Sequence, residues 1–119
     1  MDIAYLHLAN SRWMGKRTHP DVDNQTFVRM WSKTKPVILA GGYDFDSATR
    51  VVDLTFPGHE NIAVGFGRYF ISNPDLPFRL KHGIPLERWN SDTFYLPQVE
   101  GYLDYPFSTD FLASKREDL

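Results

Sequence analysis

The 119-residue sequence contains no cysteine. That excludes disulfides, a thiol nucleophile and cysteine-ligated metal or iron–sulfur sites, and it fits a reducing compartment such as the cytoplasm. Neither sign of charge dominates: 13 Lys and Arg stand against 15 Asp and Glu, a formal net charge of −2. No global field therefore draws the chain to nucleic acid or to an anionic membrane. No apolar run approaches the roughly 18 residues of a membrane span. The N-terminal run MDIAYLHLAN has an acidic second residue and no basic stretch, so no secretion signal is expected. The four histidines (His7, His19, His59 and His82) lie far apart without metal spacing. There is no Walker lysine pattern and no Gly-x-Ser-x-Gly elbow, and Ser72 has no evident base. Gly65-x-Gly67 starts like a dinucleotide fingerprint, but Phe70 stands where its third glycine belongs. No repeat, low-complexity segment or linker interrupts the chain. The expectation is one soluble cytoplasmic domain with no metal, no nucleic-acid partner and no membrane partner.

Three apolar runs alternate with three helical patterns. IAYLHLA (Ile3 to Ala9) reads as a strand with Ala4, Leu6 and Leu8 on one side and Ile3, Tyr5 and His7 on the other. Both sides are largely apolar, which suits a strand covered on both faces, with His7 packed. The polar stretch that follows, including Met14 to Asp23, is a loop, and Asp23 or Asn24 can cap a helix carrying Phe27, Met30 and Trp31. PVILAGG (Pro36 to Gly42) is a second strand ending in two glycines. Ala48, Val51, Val52 and Thr55 then fit one helical face, with Asp44 or Asp46 near its start. IAVGFG (Ile62 to Gly67) is the third strand. NPDLPFRLKHG predicts a third helix with Asn73 as cap, Pro74 at the first position and Gly83 at the stop. The tail from Ile84 to Phe107 reads as an aromatic loop. Alternation of this kind predicts an α/β fold with a parallel sheet. A complete eight-stranded barrel takes about 250 residues, so three βα units predict an incomplete sheet with open edges.

Ligands of α/β proteins bind at the carboxyl ends of the strands. Two such ends carry glycine: Gly41 and Gly42 after the second strand, Gly65 and Gly67 after the third. Glycines let backbone N–H groups approach an anion, and Arg68 adds a positive fork suited to phosphate. Read from the residues alone, two alternatives stay open. Either this is a phosphate site, or the glycines only turn the chain and Arg68 pairs with a surface acid.

The segments IAYLHL, PVILAGGYD, GFGRYFISNPDLPFRLKHGIPL and SDTFYLPQVEGYLDYPF resemble, in collinear order over nearly the whole chain, the C-terminal part of the Old Yellow Enzyme family. These are FMN-dependent NAD(P)H oxidoreductases, or ene-reductases, and the likeness is greatest to the fungal branch used in specialised metabolism. The resemblance implies that residues 1–119 are the C-terminal part of an FMN-binding TIM-barrel domain, supplying strands six to eight of a (β/α)8 barrel. It implies that Gly41 and Gly42 form the flavin-phosphate loop after strand seven, where many relatives have Gly-Asn. It implies that Gly67 and Arg68 hold the FMN phosphate after strand eight. It also implies that Phe94 lies near the flavin ring and Tyr95 near the substrate opening.

In the family, the N-terminal strands carry the residues around the flavin ring, the His-x-x-Asn or His-x-x-His pair that binds the substrate carbonyl, and the tyrosine that donates a proton. None of these lies within the 119 residues, so no catalytic residue is assigned. The expected function is an FMN-dependent reductase of activated C=C bonds using NADPH or NADH, here as a fragment or subunit. It would be inactive unless a partner chain, or a homo-oligomer, completes the barrel. The alternative is a non-catalytic interaction or regulatory protein that pairs with a full-length relative, or an inactive truncated product.

Overall fold

A computed structural model of the chain describes residues 3–10, 24–31, 33–94 and 96–117. The loop expected over Met14 to Asp23 and the capping choice Asp23 lie outside the described residues. Two compact units follow one another along the chain, Met1–Gly67 and Arg68–Leu119.

The first unit is a parallel three-stranded sheet. Strand β1 (Leu6–Ala9), β2 (Val37–Ala40) and β3 (Ile62–Gly65) lie in sequence order. Their register is Leu6↔Val37↔Ile62 through Ala9↔Ala40↔Gly65. β1 starts three residues later than the apolar pattern suggests. The register sets Tyr5 beside Pro36, which has no N–H to give, and pairing begins instead with Leu6 N donating to the Pro36 carbonyl at 3.0 Å.

Helix α1 (Gln25–Met30) and helix α2 (Phe45–Arg50) connect the strands, and α2 runs on into a π-helical turn, Val51–Thr55. Asp44 caps α2: Ser47 N donates to its carboxylate at 2.9 Å while Asp44 N donates to Ser47 Oγ at 3.0 Å. Asn24 precedes α1 but makes no side-chain cap. Its amide donates instead to Asn10 Oδ1 at 2.6 Å and to the Ala9 carbonyl at 3.2 Å, at the end of β1. The buried residue of α1 is Val28, while Phe27 and Met30 are exposed. In the second helical segment Val51 is buried and Val52 exposed.

Val28, Val37, Leu39, Tyr43, Val51 and Phe56 form the core, with Leu6, Leu8, Ile62 and Val64 packed against it. All the strand members of that core project from one face, as a period of two requires. On the other face His7, Ala9 and Ala63 are exposed and Ile38, Ala40 and Gly65 half-buried. The expectation of a packed His7 and a strand covered on both sides does not hold within this chain: the connecting helices cover one face only.

The second unit begins with helix α3 (Arg68–Ser72), which the strand reading up to Gly67 does not anticipate. Helix α4 (Leu76–His82) follows, with Asp75 at its N-cap position and Gly83 at its stop. Asn73 is therefore not the cap and Pro74 not the first residue. A start at Pro74 would put Pro77 past the first turn, where its ring and missing N–H disrupt the helix; in the observed helix it falls within the first two positions. Residues 84–94 and 96–107 form loop and turns, as expected, with one 3-10 turn at Ser91–Thr93, and helix α5 (Thr109–Glu117) ends the described chain.

This unit is fixed by buried polar groups. Ser72 and Asn73 are fully buried, and Asp75 and Arg79 nearly so. Asp75, at the N-cap, and Arg79, in α4, form an ion pair of 2.8 Å. Ser108 N donates to the second Asp75 oxygen at 3.0 Å, the Ser108 hydroxyl also donates to it, and Ser108 Oγ accepts from Phe111 N at 3.3 Å. One carboxylate thus joins the start of α4 to the start of α5. Burial raises the Asp75 pKa, but hydrogen bonds from Ser108 and Arg79 outweigh it and hold the carboxyl below its ordinary value.

Candidate functional site

The carboxyl ends of β1, β2 and β3 lie side by side, because the register aligns Ala9, Ala40 and Gly65. The glycine turns that follow β2 and β3 are consequently neighbours within the first unit. Gly41 and Gly42 both have positive φ, 122° and 69°. A Cβ on Gly41 would lie 2.5 Å from the Asn10 carbonyl oxygen, so glycine is required there by the close approach of β1 as well as by the turn. Asn10 secures this corner. Its N–H donates to the Ala40 carbonyl at 2.7 Å, and its side-chain amide donates to the Tyr43 hydroxyl at 2.5 Å. Tyr43 is itself almost wholly buried. The Gly41–Gly42 turn is therefore held on both sides, by Ala40 before it and Tyr43 after it.

Gly67 is different. A Cβ there would meet nothing within 4 Å. The space beside its backbone is open among the described residues, which leaves room for a ligand to approach it. Arg68, the next residue, opens α3, and its guanidinium carbon lies 5.7 Å from the centroid of the Trp89 ring. A cation–π contact of this kind does not consume the planar fork of N–H donors, which suits phosphate. By their chemistry, backbone N–H groups at glycine turns and an arginine side chain are donors that fit a phosphate group.

Phe94 is half-buried and directly follows the 3-10 turn. Thr93 fixes this loop by donating to the Gly101 carbonyl at 2.9 Å, and a Cβ on Gly101 would strike the Thr93 side chain at 2.5 Å. Tyr95 lies outside the described residues. Sequence reasoning did not single out Asn10, Tyr43 or Trp89. The signal for Asn10 and Tyr43 was their place, one residue beyond a strand end and one beyond the glycine pair. For Trp89 no local pattern pointed to Arg68.

Among the described residues no group of His, Cys, Asp and Glu could hold a metal ion, and no helix is long and apolar enough to cross a membrane.

The description "NADH:flavin oxidoreductase / NADH oxidase family" matches residues 1–87. The chain is 61% identical to the "Probable inactive dehydrogenase easA" of Claviceps fusiformis, over 99% of this chain and 32% of that protein. It is 53% identical to the "Chanoclavine-I aldehyde reductase ifgG" of Penicillium roqueforti, over 95% of this chain and 31% of that protein. Among solved structures it resembles morphinone reductase in complex with tetrahydroNAD, with a TM-score of 0.68 and 34% identity over 90% of this chain and 26% of that one. It also resembles the old yellow enzyme from Trypanosoma cruzi, with a TM-score of 0.65 and 35% identity over 87% and 25%. The solved relatives are TIM barrels, and the parallel sheet described above corresponds to the last three βα units of such a barrel. The chain spans about a third of the length of the curated relatives it matches.

Proposed function

The chain belongs to the NADH:flavin oxidoreductase / NADH oxidase family, the Old Yellow Enzymes, and on that premise we propose that it carries the phosphate-holding end of an FMN site. The supporting observation is the juxtaposition of the anchored Gly41–Gly42 turn with the open backbone at Gly67, immediately before Arg68. In this reading Gly41, Gly42 and Gly67 bring backbone N–H groups to the phosphate, and Arg68 supplies the positive charge. Phe94 flanks the flavin ring and Tyr95 the substrate opening. FMN, when bound, supplies the two-electron chemistry that couples oxidation of NADPH or NADH to reduction of an activated C=C bond.

In this reading the residues of this chain bind and orient; among the described residues no pair of donors is assigned to polarise a substrate carbonyl. Both units belong, in this reading, to one barrel domain. The remaining strands come from a longer polypeptide, from a partner chain or from a second copy, and the reductase acts on an enone or enal of specialised metabolism only when they are present. The cysteine-free composition fits the cytoplasm as its compartment.

The open face of the sheet favours a second reading. Tyr5 is 52% exposed, and β1 and β3 each have an unpaired edge among the described residues. Such edges pair with other chains. A non-catalytic protein that regulates a full-length relative by pairing with it would use that face and need no flavin. The name "Probable inactive dehydrogenase" borne by a close relative agrees with a loss of chemistry.

Visible flavin absorbance of the purified chain, recorded with its mass in solution, separates the two. The first reading expects FMN uptake near one per chain, weakened about 10- to 100-fold by Arg68→Ala, the loss expected for a charged hydrogen-bond partner. A colourless oligomer that takes up no added FMN contradicts it and favours the second.

A further inference from the structure

Trp89 lies in a segment without helix or strand, yet that segment is fixed on both sides. Arg79 Nη1 donates to the Pro85 carbonyl at 3.0 Å. Ser72 Oγ and Asn73 Nδ2 donate to the Glu87 carbonyl at 2.8 and 3.0 Å, and Glu87 N donates to Asn73 Oδ1 at 2.8 Å. Beyond the indole, Asn90 N donates to the Tyr105 hydroxyl at 3.1 Å. Ser72 and Asn73 are fully buried, where hydrogen bonds are costly to leave unmade and geometry is correspondingly strict.

What this scaffold presents is the Trp89 ring. Arg68 lies over the ring, 5.7 Å from its centroid, and Tyr69 meets the ring edge-on at 4.6 Å with the planes at 85°. All three side chains are half-buried, so the cation–π attraction is less screened than at an exposed site. Arginine has many rotamers, and ordering them on binding costs affinity. A guanidinium held over a ring that is itself fixed has already lost part of that freedom.

We infer that Trp89 is the positioning residue for Arg68, holding its guanidinium ready for the phosphate ester of a flavin nucleotide. Ser72 and Asn73 act one step further back, by fixing the backbone that carries Trp89. The inference rests on the FMN-phosphate reading above.

The test compares FMN with riboflavin, which lacks the phosphate, by quenching of flavin fluorescence on the full 119-residue chain. Trp89→Leu is expected to weaken FMN about 3- to 10-fold, the range of a partly buried cation–π contact, and to leave riboflavin unchanged. Trp89→Phe retains a ring of weaker cation–π attraction and is expected to weaken FMN about 2-fold, again leaving riboflavin unchanged. In an Arg68→Ala background Trp89→Leu has no further effect. Equal weakening of FMN and riboflavin, unchanged FMN affinity, or a full effect without Arg68 would each overturn the inference. If circular dichroism shows Trp89→Leu unfolded, Trp89→Phe decides: a fall in the FMN-to-riboflavin affinity ratio supports the inference, and an unchanged ratio overturns it. Should Arg68→Ala leave that ratio unchanged, or the native chain take up no FMN, the phosphate reading fails and this inference with it. Should Arg68→Ala lower the ratio while both Trp89 variants do not, only the role of Trp89 fails.

Discussion

Among the described residues, the buried side chains of Met1–Gly67 are Val28, Val37, Leu39, Tyr43, Val51 and Phe56; those of Arg68–Leu119 are Ser72, Asn73, Asp75 and Arg79, with Leu76. The first set holds a sheet by contacts that are non-directional and roughly proportional to area. The second holds loops and short helices by hydrogen bonds whose angles and distances are narrow. The contrast follows from what each unit must place. Strand ends are positioned by the register of the sheet, and a turn such as Gly41–Gly42 inherits that position. Arg68 and Trp89 have no ladder between them, so their relation depends on the polar network that fixes the Glu87 backbone.

Four expected outcomes test this contrast. Asp75→Ala strands the buried Arg79 guanidinium and unties Ser108, and is expected to cost about 3–5 kcal/mol. Hydrogen exchange should localise that loss to the Arg68–Leu119 unit. Leu39→Ala empties the centre of the apolar core and should cost about 2–5 kcal/mol, with faster exchange confined to the sheet unit. If either substitution loosens both units equally, the two are one cooperative body and the distinction fails.

Acid should act on the polar unit. The folded-state pKa of Asp75 lies below its ordinary 3.8, so the unfolded chain takes up the proton first as pH falls. The contribution is whole above about pH 3.8 and is lost as pH falls through the folded value. Urea titrations between about pH 6 and pH 2 should show that loss in the native chain and a smaller one in Asp75→Asn. The smallest effect is expected at a cap: Asp44→Ala removes the capping box of α2 and should cost about 1 kcal/mol in the sheet unit, read by thermal melting.

The sheet was legible in the sequence because each strand is a short apolar run, the second and third of them closed by glycine, and because β–α alternation permits few arrangements. Gly41, Gly42, Gly67 and Arg68 stood out for the same reason, at strand ends where ligands bind. What was not legible depends on tertiary partners. Asn73 sits before a proline and reads as a helix cap, yet it is spent on the Glu87 backbone fourteen residues on. His7 alternates correctly for a packed face, but it is exposed, because the core helices of its own unit pack on the other face. Helix α3 is five residues long, too short to carry a periodic signal of its own. Trp89 reads as one aromatic among several in a loop, and only the folded unit brings it to Arg68.

The phosphorus-31 spectrum of FMN titrated with the native chain and with Arg68→Ala tests the central claim most directly. The account predicts that the phosphate resonance shifts with the native chain and that Arg68→Ala abolishes most of the shift. An unshifted phosphate in a chain whose visible spectrum shows bound flavin would contradict it, because FMN would then be held by its ring and not by Gly67 and Arg68.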